Sequence, residues 1–265
     1  MRRGSISTLM VAVLGVVAGV AGAWTLGRPA LATDPTTHGE WVKIANAAGD
    51  SIRAYVAYPE RKDKAPAIIV IHEIFGLTEW EPTVADRLAG AGYVAIVPDL
   101  LSSRFGVTPA STDSGRKLTA LLDPTAVTAD LDAAYGYLNT LPAVKKDEIG
   151  TIGFCWGGGK SFRYATTNPK LKAAVVCYGS AADSAPMANI KARVLGVYGE
   201  DDARINQALP DVERQMKAAK ADFRYKIYPG TGHGFFKPGR KGSDTPALEE
   251  AWRDVLGFYG EAFRR

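Results

Sequence analysis

Five short apolar runs rich in Val and Ile recur along the chain: 67–71, 94–97, 149–154, 173–176 and 194–198. Each is too short for a buried helix and too continuously apolar for a strand with one wet face, so each reads as a strand covered on both sides. Between and after them lie segments with helical spacing and good helix formers, at 84–89, 126–138, 210–220 and 248–263. Strand and helix therefore alternate. Alternation of this kind demands right-handed crossovers, and so an α/β chain with a mainly parallel central sheet and helices on both faces.

Two further segments complete the sheet. Residues 41–44 and 52–56 flank the turn signal Gly49-Asp50 and read as a β-hairpin, and 223–228 reads as a last strand. At 46% hydrophobic and 23% charged residues, the composition is that of an ordinary globular protein. No internal repeat or low-complexity tract interrupts the pattern.

The N-terminus reads differently. Arg2 and Arg3 precede an almost wholly apolar stretch, 6–24, and Ala30-Leu31-Ala32 offers a small-x-small cleavage site. Residues 1–32 are expected to be an export signal and 33–265 a single domain in the periplasm or outside the cell. An uncleaved segment anchoring the chain in a membrane is the alternative, and the export route stays open, since Gly4-Ser5-Ile6 fits a twin-arginine signal only loosely. Three of the charges behind the formal net charge of +4, Arg2, Arg3 and Arg28, lie in this leader, so the remainder is nearly neutral. No dense basic stretch with interleaved aromatics points to nucleic acid.

In open α/β sheets, chemistry collects at the carboxyl ends of the strands. Those ends carry His72-Glu73, Pro98-Asp99, Cys155, Tyr178-Gly179, Glu200-Asp201-Asp202 and Gly232-His233. Gly153-Phe154-Cys155-Trp156-Gly157-Gly158-Gly159, between a strand and a helix, matches a nucleophile elbow with Cys in place of Ser. Its glycines let backbone segments approach around a sharp turn, and the following helix points its N-terminal amides at the sulfur, which favours a thiolate. A free cysteine is most often a small buried hydrophobe. Here a carboxylate and a histidine follow in the order of an α/β-hydrolase, nucleophile, acid, base.

Asp202 has the better spacing from Gly199 for the acid, with Asp201 as fallback; either could instead be a loop or capping aspartate. Of the three histidines, His38, His72 and His233, only His233 lies downstream of both candidates. It would move the Cys155 proton and protonate the leaving alkoxide while Asp202 fixes its tautomer. The oxyanion would meet the backbone amides of Trp156 and Ile74.

The motifs His72-Glu73-Ile74-Phe75-Gly76-Leu77, Pro98-Asp99-Leu100, Gly153 to Gly158, Gly199 to Asp202 and Gly232-His233-Gly234-Phe235 resemble those of dienelactone hydrolases, in the same order. The resemblance runs from about Trp41 to the C-terminus. It implies the α/β-hydrolase fold and a carboxylic ester hydrolase that opens the lactone of a carboxymethylenebutenolide without metal or organic cofactor. It also implies that Glu73 contacts the nucleophilic sulfur; a plain salt-bridge role is the alternative. Arg104 lies near the position of one carboxylate-binding arginine of that family. Lys237 occupies that of the second, keeping the charge without the planar two-pronged grip.

Other readings stay open. A broad esterase or thioesterase would carry the same residues, with the rim expected at 101–125 deciding substrate. Cys155 and Cys177 could instead form a disulfide in an oxidising compartment, or the fold could serve as a non-catalytic binding module. The expected partner is a small lactone or ester, met by a monomer, with a membrane involved only through the N-terminal segment.

Overall fold

The computed structural model describes Met1, residues 37–181 and residues 186–264. The expected leader at 1–32 lies outside the described residues. One eight-stranded sheet organises the rest: β1 (Thr37–Ala45), β2 (Ser51–Pro59), β3 (Ala65–Ile71), β4 (Val94–Pro98), β5 (Val144–Phe154), β6 (Ala173–Cys177), β7 (Arg193–Asp201) and β8 (Phe223–Gly232). Their spatial order is β1-β2-β4-β3-β5-β6-β7-β8. The β1–β2 hairpin and the β2–β4 pair are antiparallel and every later pairing is parallel, the α/β-hydrolase architecture that the strand–helix alternation predicts.

The unbroken run in β3 has a simple cause. Ile69 and Ile71 face one core layer, while Ile68 and Val70 face the other, and all four are fully buried. Side chains alternate across a strand, so a strand roofed on both sides must be apolar at every position. One roof contains α4 (Pro124–Thr140), with Leu131, Ala134 and Leu138, and α5 (Trp156–Thr167), with Phe162 and Ala165. The other contains α1 (Trp80–Gly90), with Val84 and Leu88, and α8 (Pro246–Ala262), with Trp252, Val255 and Phe258. Each fully buried Ile or Leu contributes about 1.5–3 kcal/mol, so these layers dominate the stability.

Local signals set the start of α4: Asp123 Oδ1 accepts from the amides of Thr125 and Ala126, and Pro124 stands in the first turn, where no donor is lost. Sequence spacing under-reads some elements. The polar lead of β5, from Val144, is recruited by pairing with β3 across a register shift at Ala65/Ala67. The 101–125 segment holds α2 (Ser102–Phe105) and α3 (Thr112–Thr119), too short and too polar to announce themselves by periodicity. The remaining helices, α6 (Ala203–Asn206) and α7 (Leu209–Ala218), lie between β7 and β8.

Candidate active site

Cys155 sits between β5 and α5 with φ 54° and ψ −113°, a conformation that costs a non-glycine residue about 1–3 kcal/mol and persists only when its surroundings enforce it. Its amide donates to the Cys177 carbonyl at 3.0 Å, and its carbonyl accepts from the Gly158 and Gly159 amides at 3.0 and 3.3 Å. Glycine is required on both flanks. A Cβ at Gly153 would overlap the Gly157 carbonyl, and one at Gly157 would overlap the carbonyls of Ile71 and His72. The turn is thus wedged between two central strands, with Trp156 opening α5 and Ile74 in the loop after β3. The Trp156 ring stacks on that of buried His72, centroids 5.4 Å apart.

The acid and base come from adjacent strand ends. Asp201 pairs with Gly232 in the β7–β8 ladder, and a Cβ at Gly199 would run into Gly232, so the two chains pass closer than side chains would permit. This brings Asp202, 6% exposed, to His233: Oδ2 lies 2.5 Å from Nδ1. The Cys155 sulfur, joined by Asp202, raises His233 to about 9 against the opposing effect of burial. Asp201 instead turns outward to an exposed ion pair with Lys241, so the geometry selects Asp202 between the two candidates. Among the other histidines, exposed His38 pairs with Glu60, and His72 Nδ1 lies 2.7 Å from the Glu73 carbonyl.

Glu73 is buried and its Oε2 accepts from Lys237 Nζ at 3.1 Å. Burial pushes its carboxyl above the usual range, while Lys237 pulls it back. The side-chain partner found for Glu73 is therefore Lys237; the structure shows no hydrogen bond from it to the Cys155 sulfur, where the resemblance expects one. Lys237 also lies over the rings of Phe75 and Trp80, at 5.4 and 5.2 Å. These rings, with Trp41, Pro109 and Lys237, line a cleft of about 730 Å³. The cleft reaches the Glu73–Ile74 loop through Phe75 and Lys237; Cys155 and His233 are not on its walls.

The 101–125 segment, expected at the pocket rim, contributes four residues to this cleft. Thr108, Pro109, Ala110 and Thr112 line the cleft, but Arg104 does not. It is exposed on α2, where its charge acts on Asp123 and Asp130. Four-residue α2 carries Arg104 away because its neighbour Ser102 is anchored inward, accepting from the Arg53 amide and donating to the Asp99 carbonyl. Cys155 and Cys177 are both free thiols. Cys177 is fully buried in β6, where burial pushes its thiol well up.

The sequence places Tyr178 at a strand end but gives it no role. It follows β6 with φ 40°, its ring centroid lies 5.1 Å from that of His233, and its buried hydroxyl has no partner among the described residues. A bulky residue at a strand end beside a catalytic candidate was the available signal.

Residues 52–263 match the model of the Dienelactone hydrolase family. A protein from Synechocystis sp., named provisionally as a carboxymethylenebutenolidase, is 32% identical over 78% of this chain and 91% of its own. A Salmonella typhimurium protein with the same provisional name is 33% identical over 80% and 84%. Among solved structures, a provisionally named dienelactone hydrolase from Klebsiella pneumoniae superposes with a TM-score of 0.75 at 29% identity, over 85% of this chain and 99% of that one. A partly exposed cysteine elbow, an acid–imidazole pair at the ends of β7 and β8 and the likeness along four-fifths of the sequence lead to one conclusion: this chain belongs to the dienelactone hydrolase family.

Proposed function

We propose that the carboxylic ester hydrolysis of this family is carried here by Cys155 as nucleophile, with His233 and Asp202, and that it opens lactones or small esters of the carboxymethylenebutenolide kind. The observation behind this is the position of His233. Asp202 occupies Nδ1 at 2.5 Å, which leaves Nε2 for the sulfur whose proximity raises the imidazole.

The chemistry follows from that arrangement. The Cys155 sulfur attacks the carbonyl carbon, and the C–S bond forms as the carbonyl π electrons move onto oxygen. In this reading the amides of Trp156 and Ile74 receive the oxyanion. Its collapse breaks the C–O bond, and His233 gives its proton to the departing alkoxide. In a lactone that hydroxyl stays tethered. Water then attacks the thioester, His233 taking one of its protons; the C–S bond breaks, the acid product leaves and gives its remaining proton to solvent, and Cys155 and His233 regain their starting proton count.

The cleft favours breadth of substrate. Its aromatic walls suit a planar or apolar acyl group, and its cation, Lys237, is already engaged by Glu73 while Arg104 stands elsewhere. A carboxylate on the substrate would compete with Glu73 for Lys237 and so help binding without being required. The N-terminal segment makes export the expected destination, which cell fractionation with and without residues 1–32 would test.

The deciding experiment is hydrolysis of a dienelactone and of p-nitrophenyl acetate by residues 33–265, beside Cys155→Ala and with and without a reductant. Turnover of the lactone, abolished in the variant, is the expected result. Activity on the simple ester alone makes the chain a general esterase, and none on either, even when reduced, leaves a binding module.

A further inference from the structure

Asp99 directly follows β4, is wholly buried, and takes no part in the chemistry above. Its carboxylate is nonetheless fully engaged. Oδ1 accepts from the Leu101 amide at 3.1 Å and from Thr108 Oγ1 at 2.7 Å, and Oδ2 accepts from the Thr108 amide at 2.9 Å. With its proton committed to Asp99, Thr108 Oγ1 turns a lone pair to the Leu77 amide, which donates to it at 3.0 Å. Leu77 closes the turn that begins at Glu73, whose carbonyl accepts from the Gly76 amide at 3.3 Å. Gly76 stands at φ 82°, and a Cβ there would overlap Thr108 Oγ1. A Cβ at Gly115 in α3 would likewise overlap the Phe75 carbonyl, so α3 presses on the same turn.

We propose that Asp99, acting through Thr108, is a positioning residue that holds the 73–77 turn so that the Ile74 amide is aimed at the developing oxyanion. The inference rests on the hydrolytic reading above. Burying a carboxylate is costly unless donors surround it, and three short bonds from one small region offset that cost only by making the region rigid. A donor to an oxyanion is effective only when its direction is fixed before charge develops. The chain fixes it by tying the turn to the end of a central strand. Thr108 also lines the cleft, so its hydroxyl joins that wall to the 73–77 turn.

The test compares Thr108→Val, Thr108→Ser and Asp99→Asn with the parent in steady-state hydrolysis of p-nitrophenyl acetate and in alkylation of Cys155 by iodoacetamide. Alkylation passes through no oxyanion and reads the nucleophile alone. Loss of a whole oxyanion donor costs about 10² to 10³ in kcat, so misaiming one should cost about tenfold or more. Thr108→Val is therefore expected to lose at least about tenfold in kcat with KM changed less than about threefold and with the parent alkylation rate. Thr108→Ser, which keeps the hydroxyl, should recover most of kcat. Asp99→Asn sets an amide donor against the donors of residue 108 and should behave like the valine variant; it decides the matter if that variant fails to fold. A folded Thr108→Val with parental kcat, a loss confined to KM, or a matching fall in alkylation overturns the inference. An inactive parent overturns the hydrolytic reading, and this inference with it.

Discussion

His233 Nδ1 and Asp202 Oδ2 meet at 2.5 Å although 31 residues separate them, because Gly199 and Gly232 let the ends of β7 and β8 pass at backbone contact. The neighbouring Asp201 is committed to Lys241 at the surface. Asp202→Asn should therefore lower kcat by about 10² to 10⁴, the range for losing the residue that orients a catalytic imidazole, while Asp201→Asn stays within about twofold. Steady-state kinetics on one ester separates the two; equal losses would remove Asp202 from the triad.

The raised His233 sets a pH window. With a value near 9 in place of 6.5, the folded protein holds the imidazolium more tightly than the unfolded chain does. The stabilisation is fully present below 6.5 and is lost as pH rises through about 9. Thermal melts should fall across that interval, and kcat should decline with an apparent value near 9 as the proton for the leaving group is lost. In Asp202→Asn the alkaline limb should move to lower pH, because one of the two groups favouring the charged ring is gone. A limb that does not move would mean that Asp202 does not act on this ring.

Much of this was legible in the sequence, and physics explains which parts. Strands buried on both faces must be apolar throughout, so β3 to β7 announce themselves. The proposed nucleophile, acid and base follow strand ends in chain order, so Cys155, Asp202 and His233 could be singled out as candidates without a structure. What escaped depends on distant partners. The bond between Glu73 and Lys237 spans 164 residues, and neither residue type predicts the other. Asp99 reads only as the end of an apolar run, since its bonds to Thr108 belong to a segment with no periodicity. Arg104 was placed by likeness of position, and the anchoring of Ser102 turns it outward.

Glu73 and Lys237 make a stability prediction with a built-in control. Burial raises the Glu73 carboxyl above its ordinary 4.5, so its ionised form costs folding energy above that pH and none well below it. Lys237→Met removes the partner from a carboxylate whose side chain is 4% exposed, and should cost about 3 kcal/mol at neutral pH. The loss should shrink on acidification, and Glu73→Gln in the same chain should restore most of it. Denaturant titrations at pH 7 and 4.5 check both; a loss independent of pH would show that Lys237 acts through its packing on Phe75 and Trp80.

The two thiols make the last prediction. Cys155 is partly exposed at a strained turn beside His233, whereas Cys177 is fully buried in β6, where burial disfavours its thiolate. Thiolates, not thiols, react with electrophiles, so the native protein should present one rapidly reacting thiol and release the second only on unfolding. Cys155→Ala should remove the fast phase and leave the slow one. Two unreactive sulfurs in native protein, both recovered by reductant, would instead mean that the elbow yields to a Cys155–Cys177 bridge. The backbone argues against that outcome: the Cys155 amide is already bonded to the Cys177 carbonyl, and its left-handed turn is held by Gly158 and Gly159, so closing a disulfide would have to unmake the elbow first.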